Sequence, residues 1–461
     1  MVDAGRALGL LYQYARAEDL LGRASELGHA SGQVLELVGQ SFRLIRRPEK
    51  AEDCLRQAVA RNASLPDTHL ELAILLERKG NIQEAKEHCE RRMRLLPNDK
   101  ESQCLLGLLH RRAGNIDQAE KLFMGVASDA QTHPQTRARA YSELSKLLDE
   151  VGNFRDAWKE MLAGKALLSS GANDARAHRQ RIVDPLFKLV SELRKDDVEQ
   201  WTQSGPERSP PNCILLTGLP RSGTTLVAKL LSAAPEAAVA DEYDIFPKMI
   251  FPMLLGRETP ESFSAEKLAG LDPRQIVRLR ESYITFFRSA VLCTSNTQVF
   301  IDKNPSLLPL APFFFRLFGQ RSLAVVLRDP RDILVSCLFE FHKLNDFTVD
   351  FLTVTAAVER LASDLQAWRT LRELLPVESY HEIVYEDFVA APEQQLKQLT
   401  QRLELTCGSP TESNLKVFSP SYHQASQAVH AWSIGRWENY QAELSTVLPR
   451  LDQLASLIAL R

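Results

Sequence analysis

A loop of glycine, arginine and hydroxyl residues follows the first short apolar run in the C-terminal half of the chain. The run Cys213–Thr217 is typical of a buried parallel strand, and it continues directly into Gly218–Thr225, which reads Gly-Leu-Pro-Arg-Ser-Gly-Thr-Thr. Residues 226–231, which follow the loop, have helical periodicity. A strand, a glycine-bearing loop and a helix in this order direct backbone amides and a helix N-terminus towards an anion. The pattern therefore predicts a phosphate-binding cradle.

The loop departs from the nucleoside triphosphatase pattern, G-x-x-x-x-G-K-[ST], at the lysine. Thr224 occupies the place of the lysine that reaches the β- and γ-phosphates, and Arg221 lies inside the loop instead. This favours a site that holds phosphate through backbone amides and a loop cation, without a metal ion. A nucleotide or small-molecule kinase stays open as an alternative, although the missing lysine and the lack of a clear metal-holding aspartate count against it.

Arg328 and Ser336 form a second candidate anion site. The apolar run Leu323–Leu327 predicts another buried strand that ends at Arg328, and Ser336 follows two turns into the next helix. Ligands of doubly wound sheets bind at the carboxyl ends of the strands, and the planar fork of arginine makes paired, charge-assisted bonds to phosphate. A surface network of the neighbouring arginines and aspartates is the alternative interpretation of this block.

Together, the two blocks resemble the donor-binding signatures of sulfotransferases that use 3′-phosphoadenosine-5′-phosphosulfate (PAPS). The branch resembled is that of the protein-tyrosine sulfotransferases and their repeat-fused relatives, over roughly residues 212–440. The resemblance implies a P-loop-like parallel α/β domain, PAPS as co-substrate and no metal ion. It also implies which residues hold the donor: Pro220, Arg221, Ser222, Gly223, Thr224 and Thr225 the 5′-phosphosulfate, and Arg328 and Ser336 the 3′-phosphate. The late segment Ser433–Trp437 resembles the family's C-terminal closure.

The resemblance assigns roles to four further positions. Glu242 lies 21 residues after Arg221 and matches the catalytic base, and Lys303 matches the lysine that steadies the transferring sulfonate. Tyr385 matches a residue packed against adenine, and Ser421 matches a late nucleotide contact. An acceptor hydroxyl that attacks sulfur needs a base within hydrogen-bond reach, and charge that develops on the oxygens needs preorganised cations. Glu242, Arg221 and Lys303 are therefore the candidate catalytic residues.

The first third of the chain contains a repeat. Ala17, Ala51, Ala85 and Ala119 are each 34 residues apart, and a Gly-Asn pair precedes the last two of them by a few residues. Such a pair ends a helix readily because both residues tolerate a left-handed conformation. The period resembles that of tetratricopeptide repeats and predicts an all-α solenoid over residues 1–170. Its concave surface is either a groove for a peptide or protein, or a scaffold.

Composition bounds the remaining possibilities. The 461 residues carry a net charge of −3, which disfavours a nucleic-acid partner, and the seven cysteines form no C-x-x-C pair, which suits a reducing compartment. No uncharged apolar stretch of membrane-spanning length occurs, so we predict no transmembrane segment and a cytoplasmic protein. A breaker cluster at Ser204–Pro211 predicts three parts: repeats at 1–170, a connecting helix and linker at 171–211, and the sulfotransferase domain at 212–461.

The predicted function is therefore sulfonate transfer from PAPS to an acceptor hydroxyl, on a peptide or protein that the repeat array would bind. The acceptor could also be a glycan, a lipid or a small molecule, and the sequence leaves a homodimer open. The non-enzymatic alternative is a repeat scaffold with an inactive nucleotide-binding fold.

Overall fold

A computed structural model describes residues 1–27, 31–62, 65–203, 211–407, 415, 417 and 433–459. The chain divides into two compact units, Met1–Ser170 and Gly171–Arg461. Within the described residues, no helix is both long enough and apolar enough to cross a membrane.

The N-terminal unit consists of helices that pair as antiparallel hairpins. The helices are α1 (Val2–Leu10), α2 (Tyr14–Glu26), α3 (Gly32–Leu44), α4 (Pro48–Arg61), α5 (Pro66–Arg78), α6 (Ile82–Leu95), α7 (Lys100–Arg112), α8 (Ile116–Ala127), α9 (Pro134–Glu150) and α10 (Phe154–Ser169). Each odd-numbered helix packs against the even-numbered helix that follows it. The predicted all-α tetratricopeptide-type array is confirmed.

Small residues and turn glycines explain why these hairpins close. The four periodic alanines are fully buried between helices. At Gly39, a Cβ atom would lie 2.7 Å from Cγ of Leu55, so a side chain there would push α3 away from α4. Gly80, between α5 and α6, has a φ of +82°, which glycine adopts without the steric cost that a side chain would bring.

The C-terminal unit is built on a five-stranded, all-parallel sheet with the order β2-β3-β1-β4-β5. The strands are β1 (Asn212–Gly218), β2 (Ala237–Asp241), β3 (Val299–Lys303), β4 (Leu323–Leu327) and β5 (Tyr380–Val384). The apolar runs predicted as strands are buried on both faces, as parallel sheets require. The predicted parallel α/β fold of this unit is confirmed.

Helices cover both faces of the sheet. They are α11 (Asn173–Glu192), α12 (Lys195–Gln203), α13 (Thr224–Leu231), α14 (Phe251–Leu255), α15 (Ala265–Ala269), α16 (Pro273–Ala290), α17 (Ala311–Phe318), α18 (Pro330–Phe339), α19 (Val354–Leu374), α20 (Tyr385–Ala390) and α21 (Pro392–Arg402), with two further helices at Gln441–Leu444 and Leu448–Ala459. The strand order reverses beside β1, whose two neighbours are β3 and β4. Ligands of such sheets bind at this switch point, outside the carboxyl ends of the strands.

Helices α11 and α12 lie in the C-terminal unit, where the sequence predicted a connecting helix and a linker. Val183, Leu186 and Leu189 of α11 are buried, and α11 packs against α19. The carbonyl of Trp201 in α12 accepts a hydrogen bond of 3.1 Å from the buried guanidinium of Arg316.

Candidate functional site

Every strand of the sheet delivers a polar group to the same edge. The register places Leu216 of β1 and Asp241 of β2 level with Lys303 of β3, and Leu327 of β4 level with Val384 of β5. The residues at or just beyond these strand ends are Asp241 and Glu242 after β2, Lys303 in β3, the loop Gly218–Gly223 after β1, Arg328 after β4 and Tyr385 after β5. Neighbouring strands are about 4.8 Å apart, so the backbones of β3 and β4 flank the β1 loop at about 10 Å from each other.

The loop after β1 is pressed tightly against its neighbours. Gly218 has a φ of +146°, and a Cβ atom there would lie 2.2 Å from the carbonyl oxygen of Val326 in β4. Gly223 has a φ of +104°, and its Cβ would lie 2.4 Å from Cδ2 of Tyr385. Arg221 also has a positive φ, +65°, which non-glycine residues rarely adopt outside functional or tightly constrained sites. The two glycines are therefore required by the close approach of the backbone to β4 and α20.

Arg328 holds three parts of the site together. Its Nη1 donates to the carbonyl oxygen of Arg221 at 3.0 Å, and its Nη2 donates to the carbonyl oxygen of Ser433 at 2.6 Å. Its Cζ lies 4.5 Å from the centre of the Tyr385 ring, in cation–π geometry. Burial lowers the pKa of Arg328, but an arginine keeps its charge at neutral pH. A positive charge is therefore fixed beside the loop.

Arg221 and Ser336 contact each other directly. Nε of Arg221 donates to Oγ of Ser336 in α18 at 3.0 Å. The resemblance assigned Arg221 to the 5′ end of the donor and Ser336 to its 3′ end. The structure thus joins the two sequence blocks through a side-chain hydrogen bond between residues 115 positions apart.

Two buried donors of this cluster, Oγ of Ser222 and Nε of Arg328, have no hydrogen-bond partner among the residues that the structure describes. Buried polar atoms are almost always paired, so each unpaired one calls for an explanation. Both are N–H or O–H groups, and the oxygen atoms of an anion would accept from them. The residues present therefore fit a phosphate-bearing ligand such as PAPS.

Lys303 lies between two carboxylates at the other side of the loop. Its Nζ donates to Oδ1 of Asp241 at 2.9 Å and to Oε1 of Glu242 at 2.6 Å. The side chains of Lys303 and Asp241 are essentially inaccessible, whereas that of Glu242 is 30% exposed. The backbone N–H of Glu242 donates to the carbonyl oxygen of Lys303, and its φ is +53°. The proposed base and the proposed lysine are thus an ion pair, and the base is the accessible member.

Asp302, which precedes Lys303 in β3, is a buried acid next to the site. In the sequence it was noted only as the neighbour of Lys303. Its Oδ2 accepts from the hydroxyl of Tyr283 at 2.9 Å, while its Oδ1 has no hydrogen-bond partner within the described part of the chain. Burial, together with the charge of Asp244, raises the pKa of Asp302 to about 7. Adjacent side chains of a strand point to opposite faces, so this acid lies on the face opposite Lys303.

The structure describes most of the remaining residues that were predicted for the site. Thr224 and Thr225 begin α13 and are buried, and the carbonyl oxygen of Pro220 lies 3.8 Å from Sγ of Cys337. Ser421 lies outside the described residues. Ser433, by contrast, is a contact that the resemblance gave only as part of a segment: its Oγ lies 3.0 Å from the Tyr385 hydroxyl. Among the described residues, no group of three or more His, Cys, Asp or Glu side chains could hold a metal ion.

Comparisons with known sequences match part of this chain to a sulfotransferase family model. Residues 211–408 match the model of the sulfotransferase family. A protein-tyrosine sulfotransferase A of Caenorhabditis elegans is 22% identical over 293 residues, which cover 58% of this chain and 71% of that protein. An uncharacterized protein of Aquifex aeolicus is 24% identical over 416 residues, covering 88% of this chain but 52% of that protein. The chain thus spans about half the length of the Aquifex relative.

Solved structures match each unit separately. The sulfotransferase domain of the Synechococcus PCC 7002 olefin synthase is 19% identical, with a TM-score of 0.37, and covers 55% of this chain and 97% of that one. YrrB, a tetratricopeptide-repeat protein described as having an unusual peptide-binding site, is 18% identical, with a TM-score of 0.30, and covers 36% of this chain and 84% of that one. The match of residues 211–408 to the family model confirms the resemblance to sulfotransferases found in the sequence.

Proposed function

We propose that this chain, whose residues 211–408 carry a sulfotransferase-family domain, moves the sulfonate group of PAPS to an acceptor hydroxyl. The observation that carries the proposal is the convergence of a phosphate loop, a buried arginine with a free Nε and a lysine–glutamate pair at one sheet edge. The domain alone supports transfer of a sulfonate; the donor, the acceptor and the roles of the residues are our inference.

The donor would be held by backbone and side chains that already face one another. The amides of the loop and the N-terminus of α13, with the hydroxyl groups of Ser222 and Thr225, would bind the 5′-phosphosulfate. Nε of Arg328 and the hydroxyl of Ser336 would bind the 3′-phosphate, which distinguishes this nucleotide from adenosine 5′-phosphate. Tyr385 would border the adenine.

Glu242 would act as the general base. The acceptor oxygen forms a bond to sulfur, the bond from sulfur to the 5′-phosphate oxygen breaks, and the hydroxyl proton passes to Oε of Glu242. Lys303 and Arg221 would stabilise the charge that builds on the sulfonate and on the leaving oxygen. Because Asp241 holds Lys303 from its buried side, Glu242 can turn to the acceptor while the lysine stays in place.

We further propose that the acceptor is a hydroxyl group of a peptide or protein that the repeat array recruits. Two facts support this: the N-terminal unit consists of helical hairpins, an architecture that in stacked repeats creates a concave binding surface, and one relative is a protein-tyrosine sulfotransferase. A tyrosine hydroxyl, with a pKa near 10, would need the base that Glu242 supplies.

Titration calorimetry and a transfer assay test the donor assignment. The full chain should bind adenosine 3′,5′-bisphosphate at least about tenfold more tightly than adenosine 5′-phosphate, because a charged hydrogen bond is worth roughly 1.5–3 kcal/mol. It should also pass ³⁵S from labelled PAPS to proteins of a cell lysate, in which sulfotyrosine is then sought. Preferred binding of ATP with Mg²⁺ and transfer of its γ-phosphate would replace this proposal with the kinase alternative.

A further inference from the structure

The segment Ser433–Tyr440, here called the C-terminal strap, is attached to α18 through one carboxylate. Oδ2 of Asp332 accepts from the backbone N–H of Gly435 at 2.8 Å, and Oδ1 of Asp332 accepts from the backbone N–H of Trp437 at 3.0 Å. The residue is only 2% exposed. Both oxygens of a buried carboxylate are therefore committed to a segment about a hundred residues away in the chain.

Asp332 is not needed to cap its own helix. Asp329 is the N-cap of α18, and its side chain accepts from the backbone N–H of Arg331 at 2.9 Å. Asp332 lies in the first turn, where the helix dipole favours a negative charge. Its carboxylate is therefore available for another task, and the strap is what it binds.

Aromatic contacts on the same helix reinforce this attachment. The guanidinium of Arg331 lies 4.2 Å from the ring centre of Trp437, and that of Arg436 lies 4.8 Å from the ring centre of Phe339. Tyr440, at the end of the strap, is fully buried with its ring 5.1 Å from that of Phe339. The strap is thus held along its length by α18.

The other end of the strap lies in the proposed donor site. The carbonyl oxygen of Ser433 accepts from Nη2 of Arg328, and its hydroxyl lies 3.0 Å from the hydroxyl of Tyr385. Without Ser433, the guanidinium of Arg328 would keep, among the described residues, its hydrogen bond to the Arg221 carbonyl and its contact with the Tyr385 ring. A guanidinium held by a single hydrogen bond can rotate, so that Nε would no longer be fixed towards the proposed position of the 3′-phosphate.

We propose that Asp332 is a positioning residue for the donor site: it clamps the strap so that Ser433 fixes Arg328 and Tyr385 for the nucleotide. The inference rests on the proposed function and adds to it the residue that couples the strap to donor binding. Because such coupling is reciprocal, the bound nucleotide must also hold the strap closed.

Asp332→Asn is the first test, since it keeps the shape of the side chain but replaces one acceptor oxygen with an amide nitrogen. We expect the KM for PAPS and the Kd for adenosine 3′,5′-bisphosphate to rise roughly 10- to 100-fold, as for a lost charge-assisted bond. The kcat at saturating PAPS should stay within about threefold, because bound donor restores the closed strap. Asp272→Asn is the matched control: Asp272 caps α16 by accepting from the Arg274 N–H at 2.7 Å and contacts nothing in the donor site.

Trypsin gives a readout that does not depend on activity. Arg436 is a cleavage site inside the strap, and cleavage requires the strap to leave α18, because a protease binds an extended backbone. Adenosine 3′,5′-bisphosphate should slow the release of residues 437–461 from the wild-type chain. Asp332→Asn should speed this release about tenfold or more without nucleotide, and Asp272→Asn should not change it.

Trp437→Ala provides a second route if Asp332→Asn does not fold. It removes the contact with Arg331 at the surface of α18, so we expect faster release and weaker nucleotide binding, both by less than in Asp332→Asn. The double variant should lose less than the sum of the two, since both changes open the same segment.

The outcomes separate this inference from the proposed function. If Asp332→Asn is cleaved at the wild-type rate and binds the nucleotide with wild-type affinity, Asp332 does not clamp the strap. If it is cleaved faster but its nucleotide affinity is unchanged, Asp332 clamps the strap without affecting the donor site. If the wild-type chain does not bind adenosine 3′,5′-bisphosphate at all, the proposed function fails, and with it the role of the clamp, even where the variant is cleaved faster.

Discussion

The side chains of the proposed catalytic pair differ in how firmly the fold holds them. Lys303 and Asp241 are buried, whereas nearly a third of the Glu242 side chain is accessible. The lysine can therefore keep its position while the glutamate exchanges its partner for an acceptor hydroxyl. This division of roles fits an electrostatic stabiliser that must be preorganised and a base that must reach a substrate.

Glu242→Gln separates the base from the donor site. We expect kcat to fall by roughly 10²–10⁴, since the amide keeps the volume but cannot take a proton. The Kd for adenosine 3′,5′-bisphosphate should change less than about threefold, because the proposed role of this side chain is to take the acceptor proton and its contact is with Lys303. Stopped assays and calorimetry measure both, with the exposed Glu266→Gln as control. A variant that keeps more than about a third of kcat would exclude Glu242 as the base.

Arg328→Ala tests the assignment of the 3′-phosphate. We expect binding of adenosine 3′,5′-bisphosphate to weaken at least about tenfold more than binding of adenosine 5′-phosphate, since only the former offers a phosphate to Nε. Some loss for the monophosphate is expected too, because Arg328 also supports the carbonyl of Arg221 in the loop. Arg321→Ala, at an exposed ion pair with Glu404, serves as the control. Equal losses for both nucleotides would place the 3′-phosphate elsewhere.

The sequence predicted those residues of the candidate site that directly end or follow an apolar run, because their place in the fold depends on the local sequence. Arg221, Lys303 and Arg328 each follow or end an apolar run, and parallel strands bring such ends to one edge. Asp332 could not be predicted as a clamp, because its partners lie 103 and 105 residues away and contribute backbone N–H groups, which every residue but proline carries.

At the scale of elements, β3 joins two chemically different environments. Lys303, at its end, faces the carboxylates of the site, and Asp302, one residue earlier, faces α16 through the hydroxyl of Tyr283. The hydrophobic run of the strand predicted burial, but the partner of Asp302 comes from a helix whose packing the sequence alone does not show. Because β3 is fully buried, ionisation of Asp302 would place a charge inside the core of the C-terminal unit.

The raised pKa of Asp302 predicts that this residue's contribution to the free energy of unfolding declines between acid and neutral pH. The unfolded chain releases this proton near pH 4, whereas the folded protein keeps it up to about pH 7, so its stabilising effect is complete below pH 4 and lost above pH 7. Between pH 5 and 7, the wild-type chain should lose roughly 2 kcal/mol relative to Asp302→Asn, because the slope of at most about 1.4 kcal/mol per pH unit flattens near pH 7. Urea unfolding of the two proteins measures this, and parallel pH curves would show that Asp302 does not titrate in this range.

At the scale of the whole molecule, the N-terminal repeat array and helices α11 and α12 differ in how clearly the sequence predicts them. A 34-residue period is a local signal and predicted the N-terminal array. Helices α11 and α12 carry no such periodic signal, and two of their partners, α19 and Arg316, lie more than a hundred residues later. The sequence therefore predicted one connecting helix and a linker at 171–211, where the structure has two helices that belong to the C-terminal unit.

Two fragments test the place of these helices. A fragment of residues 171–461 should fold and bind adenosine 3′,5′-bisphosphate within about threefold of the full chain, since all proposed donor contacts lie in it. A fragment of residues 205–461 should aggregate or unfold at lower temperature, because it lacks the buried apolar side chains of α11 and Trp201. Circular dichroism melting and calorimetry decide this, and equal stability of the two fragments would contradict it.

The same 171–461 fragment tests whether the repeat array recruits the acceptor. If the array binds a polypeptide, the fragment should lose at least about tenfold in kcat/KM on the protein acceptor found in the lysate, while kcat/KM on a small phenol such as 4-nitrophenol stays within about threefold. The reason is that the array adds only acceptor affinity, which lowers KM for the substrate that it holds and leaves the chemistry at Glu242 unchanged. Adding the separate 1–170 fragment should not restore the rate at micromolar concentration, because recruitment requires the covalent link. Equal losses on the phenol and the protein would instead mean that the array supports the folded site, and an unchanged rate on both would remove it from the reaction.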